Sequence, residues 1–295
     1  MVIAECAHTL YDRYIYCDGY HNYHRLGGPM MDIELVARRE DVLSELIDGA
    51  IAKRDLVDRL GTSRSTVDRA IRELENAVLV ERRDGGYAAT MVGRLALECY
   101  QAYRRESRHI FESEEALSPL PADCDLPLEF VCESKIEVAS DPAPYRPMER
   151  IHDAITEADE FRILLPVLYD PRFLERCYVH AVEEGNSTSM VVDESVVETA
   201  RKDFPDRTAE KMACEWFSAW TGETPPYGLL LTTHNGETGA FVVVFGESLG
   251  PVHAVLETDS PIAVQWAERR FRRCVEAATA SENAAGRGIA DGGRT

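Results

Sequence analysis

Lysine is almost missing from this chain. Of its 295 residues only Lys53, Lys135, Lys202 and Lys211 are lysines, so arginine supplies nearly all of the 32 basic side chains. Long apolar runs are missing too. No stretch approaches the roughly 18 residues that a membrane span needs, and no basic segment followed by an apolar one opens the chain, so neither a span nor a secretory signal is expected. A cytoplasmic location follows as the expectation. The eight cysteines, at 6, 17, 99, 124, 132, 177, 214 and 274, form no Cys-x-x-Cys pair. That absence speaks against a zinc ribbon and a thioredoxin-like redox pair, and most thiols should be free in a reducing cytosol. A Walker-type phosphate loop and His-Glu-x-x-His are also absent, and no catalytic set and no cofactor is expected.

What is abundant is acid: 52 Asp and Glu give a formal charge of −20. In ordinary salt such a charge argues against nucleic acid, because phosphates repel carboxylates. An acid-rich, lysine-poor surface is, however, similar to proteins of salt-in halophilic archaea, where charge reports the solvent and not the partner. The distribution is more informative than the sum. Residues 51–108 hold 12 Arg and Lys against 9 Asp and Glu, a net +3 that leaves −23 for the rest.

Residues 1–30 are rich in Tyr and His, carry no amphipathic period and end at Gly27-Gly28-Pro29, before Met30-Met31. They read as a disordered or mis-assigned leader. Cys17, His21 and His24 within it have a spacing compatible with metal ligands, but no fourth ligand follows at a familiar distance, so no metal site is assigned. From Asp32 the text becomes periodic: Ile33, Val36, Leu43, Leu46 and Ile47 share a helical face that Gly49 ends. Leu56, Val57 and Leu60 mark a second helix, Gly61-Thr62 a turn, and Ser63 the cap of a third helix reaching Leu74. Residues 78–82 and 87–90 then read as strands around Arg83-Asp84-Gly85-Gly86. This order defines a winged helix-turn-helix over 31–95.

A helix follows from Met91 to about Leu117, with Val92, Ala96, Cys99, Tyr103 and Ile110 recurring at three, four or seven. Paired with a copy of itself, that face would make a homodimer. Residues 96–127 form this helical connector and a proline-marked linker. Beyond it, strands predicted over 128–138, 161–168, 187–192, 227–233, 238–245 and 252–257 alternate with helices over 147–158, 171–184, 195–203, 208–219 and 261–278. An α/β domain with a mixed sheet is expected over 128–279, Asn235-Gly236 turning one hairpin, with a disordered tail over 280–295.

The third helix carries the chemistry. A reading helix must bury one face and offer short polar and arginine side chains to bases and phosphates of double-stranded DNA. Between Ser63 and Leu74, the residues Val67, Ala70, Ile71 and Leu74 make the buried stripe. Ser65, Asp68, Arg69 and Arg72 stand opposite, and Arg64 and Thr66 lie in the first turn, where free N–H groups favour phosphate. The competing reading is an amphipathic surface helix with Asp68 and Arg72 paired at i,i+4. Arg82 and Arg83 at the wing are candidates for backbone or minor-groove contact. Ser63, Arg64, Ser65, Thr66, Arg69, Arg72, Arg82 and Arg83 are therefore the DNA-binding candidates.

The segment KRDLVDRLGTSRSTVDRAIRELENAVLVERRDGGYAATMVGR resembles the winged-helix domain of archaeal regulators. With PMERIHDAITEADEFRILLPVLYDP, the architecture over about 32–278 resembles the methanogenesis-regulator-like, FilR-type group. The resemblance implies a transcriptional regulator whose second domain is a phospholipase-D-like fold used for sensing. The enzymes of that fold use a His-x-Lys, and no histidine here is followed by lysine two residues on. A non-catalytic effector-binding module results, with Tyr169, Asp170, Asp193, Thr232 and His234 as pocket candidates for a small molecule. Cys99, Cys124 and Cys132 are alternative, thiol-based sensors. Two other readings stay open. Asp170, Asp193, Glu194 and Glu257 fall near predicted strand ends, where an enzyme could gather acids, and a winged helix can also serve as a protein-interaction scaffold.

Overall fold

The computed structural model describes residues 33–290, so the leader and its Cys17, His21 and His24 lie outside the described residues. The chain divides into two compact units whose boundary falls between Arg105 and Glu106. That is inside a helix, not at residue 95 or in the proline-marked linker.

The first unit opens with α1 (Ile33–Arg38) and α2 (Glu40–Glu45), where a single helix is the sequence expectation. Arg39 bends the backbone, but its N–H still reaches Leu35 O at 3.0 Å and its carbonyl still accepts Leu43 N–H at 2.9 Å. Helix α3 (Lys53–Leu60) ends on Gly61, left-handed at φ 59°, a conformation that a side chain would strain. The chain turns there into α4 (Arg64–Asn76). Strands β1 (Val80–Arg83) and β2 (Gly86–Ala89) pair antiparallel around an Asp84-Gly85 turn, and Ile51 exchanges two backbone hydrogen bonds with Tyr87, both 2.9 Å. Leu43, Leu46, Leu56, Val67, Ile71 and Leu74 fill the core, which removes their apolar area from water and holds the short helices at fixed angles. Helix α5 (Met91–Glu112) begins in the same core through Ala96 and Leu97. The expected order of helices, turn and hairpin is met: this unit is a winged helix-turn-helix.

The second unit is a mixed α/β fold, as expected. Helices α6 (Glu114–Leu117) and α7 (Leu128–Cys132) precede β3 (Lys135–Val138), α8 (Arg146–Glu157) and β4 (Glu160–Leu165). Then come α9 (Pro171–Tyr178), extended by a π-helical turn, β5 (Ser187–Val192), α10 (Glu194–Asp203), α11 (Pro205–Ala213) and β6 (Phe217–Thr221). The chain ends in β7 (Gly228–His234), β8 (Glu237–Phe245), β9 (Val252–Thr258) and α12 (Pro261–Ala290). The sheet order is β3-β9-β8-β7-β4-β5-β6, with β4, β5 and β6 parallel and the other pairs antiparallel. In β4, Phe161, Ile163 and Leu165 pack under α8, α9 and α10, whereas Leu164 packs beneath α7 and α12. Period-two alternation in a strand buried on both faces thus builds two cores on one sheet.

Three expectations need correction. Residues 128–132 form α7 and not a strand, because Pro127 supplies the extended residue before a helix and Phe130 and Val131 point into the core together. The expected helix over 208–219 stops at Ala213, and Phe217–Thr221 is edge strand β6. Helix α12 runs to Ala290, where a tail without regular structure is expected from residue 280.

Candidate nucleic-acid interface

Helix α4 is set by local chemistry before tertiary contacts act on it. Ser63 is its N-cap, its Oγ accepting the Thr66 N–H at 3.2 Å and lying 2.8 Å from both Ser65 Oγ and Thr66 Oγ1. Val67, Ala70, Ile71 and Leu74 are fully buried, and Ser65, Arg69 and Arg72 stand on the opposite face, all exposed.

Two of the helix's three acids, Asp68 and Glu73, flank that outward face on opposite sides. Asp68 accepts Lys53 Nζ at 2.8 Å and lies 3.9 Å from Arg64 Nε, so its partners are Lys53 and Arg64 and not Arg72. The hydrogen bond from Lys53 holds its carboxyl below the usual range. Glu73 accepts Arg39 Nε on one carboxylate oxygen and Arg69 Nε on the other, each at 2.9 Å. These two hydrogen bonds, Arg39 first, pull its carboxyl down to about 2. Both acids are thus ionised and matched by cations of their own fold.

Among the described residues Arg72 and Arg82 make no ion pair, while Arg83 pairs with Glu81 at 3.2 Å along the exposed side of β1. Arg64 is 88% exposed and Arg69 74%. All eight residues assigned to DNA contact from the sequence are exposed, Ser63 to Arg72 on α4 and Arg82 and Arg83 on the wing strand. Arg39 and Lys53 were not legible from the sequence as their supports. They lie 34 and 15 residues from the acids they grip, and no local pattern reports such distances.

In the α/β unit the five pocket candidates do not converge. Tyr169 and Asp170 follow β4 and border an apolar cavity of about 30 Å³ with Met148, Leu165, Phe173 and Phe245. Asp193 follows β5 and caps α10, accepting the Ser195 N–H at 3.0 Å. Thr232 and His234 lie at the opposite end of the strands, because β7 runs antiparallel to β4 and places its C-terminal residues beside Glu160. His234 sits in the exposed hairpin, 4.0 Å from Asp159. Asp170 caps α9 and is clasped by Arg172, whose terminal nitrogen lies 2.8 Å away. Burial works against its charge, but Arg172 outweighs burial and holds the carboxyl below its usual range. Glu257 is spent on a two-pronged pair with Arg150. Among the described residues Cys99, Cys124 and Cys132 are half-buried, and Cys177 and Cys274 are buried.

Comparison with known proteins gives two family likenesses. Residues 144–277 match the model of the methanogenesis regulatory protein FilR1, middle domain, and residues 31–109 match that of the HVO_A0261 N-terminal domain. The expected likeness to a FilR-type regulatory protein is therefore met across most of the α/β unit. No curated protein matches the chain. Among solved structures it is similar to TrmBL2, an archaeal chromatin protein, with 11% identity, 83% of this chain and 96% of that one covered, and a TM-score of 0.38. NucT from Helicobacter pylori has 12% identity, covering 49% of this chain and 98% of that one at a TM-score of 0.38. Phosphatidylserine synthase from Haemophilus influenzae Rd KW20 has 10% identity over 74% and 54%, at 0.34. Among the described residues no helix is long and apolar enough to cross a membrane.

Proposed function

We propose that this protein is a sequence-specific DNA-binding transcriptional regulator, in which α4 enters the major groove and the wing reaches the flanking backbone. The observation that carries the reading is the outward face of α4, where Ser65, Arg69 and Arg72 are exposed and the two acids that border it, Asp68 and Glu73, are each engaged by cations. Such a face offers donors to base edges and phosphates while the carboxylates at its two borders are matched by cations. The likeness of residues 144–277 to a domain of a regulatory protein supports the same reading.

The α/β unit serves as a phospholipase-D-like, effector-sensing module without catalysis: it lacks a His-x-Lys, Asp170 and Asp193 are engaged as helix caps, and Glu257 is engaged in an ion pair. Its cavity beside Asp170 is about 30 Å³, far below the roughly 300–1,000 Å³ of a site for a drug-sized ligand, so effector binding requires it to widen. A homodimer formed along α5 would fix the spacing of two reading heads. Selection of duplexes from a randomised pool by the full chain in molar KCl tests the reading. Recovery of a defined motif is the expected result, and a pool that stays random rejects it.

A further inference from the structure

Glu73 and Asp68 are the unusual components of a reading helix, because a carboxylate beside phosphate repels it. Each is built into a three-membered relay: Arg39–Glu73–Arg69 on one flank of α4 and Lys53–Asp68–Arg64 on the other. The relays differ in stiffness. Arg39 is only 17% exposed and arises at the bend between α1 and α2, so its grip anchors Glu73 to the core of the unit. Glu73 then holds Arg69 through Nε alone, and among the described residues neither terminal nitrogen of Arg69 has a hydrogen-bond partner. Arg64, 3.9 Å from Asp68 and almost fully exposed, is held loosely.

We propose that Glu73 is a specificity-determining positioning residue: anchored by Arg39, it fixes Arg69 by its Nε and leaves the two terminal nitrogens as a preset double donor for a guanine edge. The inference rests on the DNA-reading function and adds the device that sets its selectivity. A guanidinium already held in place loses less rotamer freedom on binding than one free in solvent, and that saving appears only where both donors find acceptors. The loose relay gives Arg64 no such direction, which suits a phosphate contact. Glu73 therefore acts through Arg69 and touches no base.

The test uses the full chain, a duplex recovered from the randomised pool, its single-base variants and an unrelated duplex, all in molar KCl. Glu73→Gln should lower the preference for the selected base at one position about tenfold, while binding to the unrelated duplex stays equal or tightens as a negative charge is lost. Arg69→Lys, which leaves the Arg39–Glu73 pair in place, should show the same loss and carries the test alone if Glu73→Gln fails to fold. If Glu73→Gln tightens both duplexes alike, or Arg69→Lys keeps the parent's preference, the positioning role is overturned. A parent that selects no motif overturns the DNA-reading function itself, a result distinct from an unchanged preference in the variants.

Discussion

An arginine on the outward face of α4 acts according to what holds it. Arg69 is fixed by Glu73 and Arg64 is loosely paired to Asp68 in the first turn, so their removal should have different signatures. Arg69→Ala should relax preference at one base position by about 1–3 kcal/mol, and Arg64→Ala should weaken all duplexes alike. Equilibrium titrations against single-base variants separate the two, and equal effects on every duplex would remove Arg69 as a reader. Two residues bearing on the wing invite a stability measurement with opposite signs. Val78 is β-branched and exposed, yet sits at φ 61°, so Val78→Asn, a residue that tolerates that region, should raise stability by about 1 kcal/mol. Gly93 seats α5 against the backbone just before β1: an added Cβ would fall 1.9 Å from Leu79 O. Gly93→Ala should therefore cost at least about 2 kcal/mol by overpacking, and denaturant midpoints in molar KCl check both changes.

At the scale of elements, α5 divides its surface between two tasks. Ala96 and Leu97 enter the winged-helix core, while Val92, Leu95 and Tyr103 are 54%, 50% and 45% exposed on a neighbouring face. The sequence stripe of Val92, Ala96, Cys99, Tyr103 and Ile110 therefore needs adjustment, since Ala96 is buried inside its own unit and Leu95 joins the exposed set. If this face pairs with a second copy, Tyr103→Glu should convert a dimer mass into a monomer mass by light scattering in high salt. A parent already monomeric would end the dimer reading. The same helix shows why some of the fold was legible in sequence and some was not. Period 3.6 in α4 and period two in β4 come from short repeats within one element, and the Gly61 turn and the Ser63 cap are local as well. Strand β6 was hidden because Phe217–Thr221 follows a helix with no glycine or proline between them, and α7 because five residues are too short for a period to declare itself. The candidate reading residues were legible from their own helix. Their supports, Arg39 and Lys53, depend on how three helices meet, and the separation of Thr232 and His234 from Asp170 depends on the antiparallel pairing of β7 with β4.

For the molecule as a whole, the charge decides the solvent in which the reading face can work. The chain carries −20, with +3 in residues 51–108 and −23 elsewhere, so at low ionic strength a duplex meets a long-range repulsion before any arginine reaches a base. The screening length shrinks from about 30 Å at 0.01 M salt to about 3 Å at 1 M. In molar salt the distant acids are therefore screened, while contacts at hydrogen-bond range on α4 persist. An ordinary basic DNA-binding protein loses affinity steadily as salt rises, because phosphate contacts release counterions. Here the two effects oppose each other, and the acid excess outside the reading head should dominate first. Affinity for a selected duplex should rise from low salt towards molar KCl before the counterion effect turns it down. Fluorescence anisotropy across a KCl series, with circular dichroism at each point to show that the fold is intact, measures this directly. A steady fall from the lowest salt at which the chain is folded would show that the acidic surface does not govern the approach to DNA.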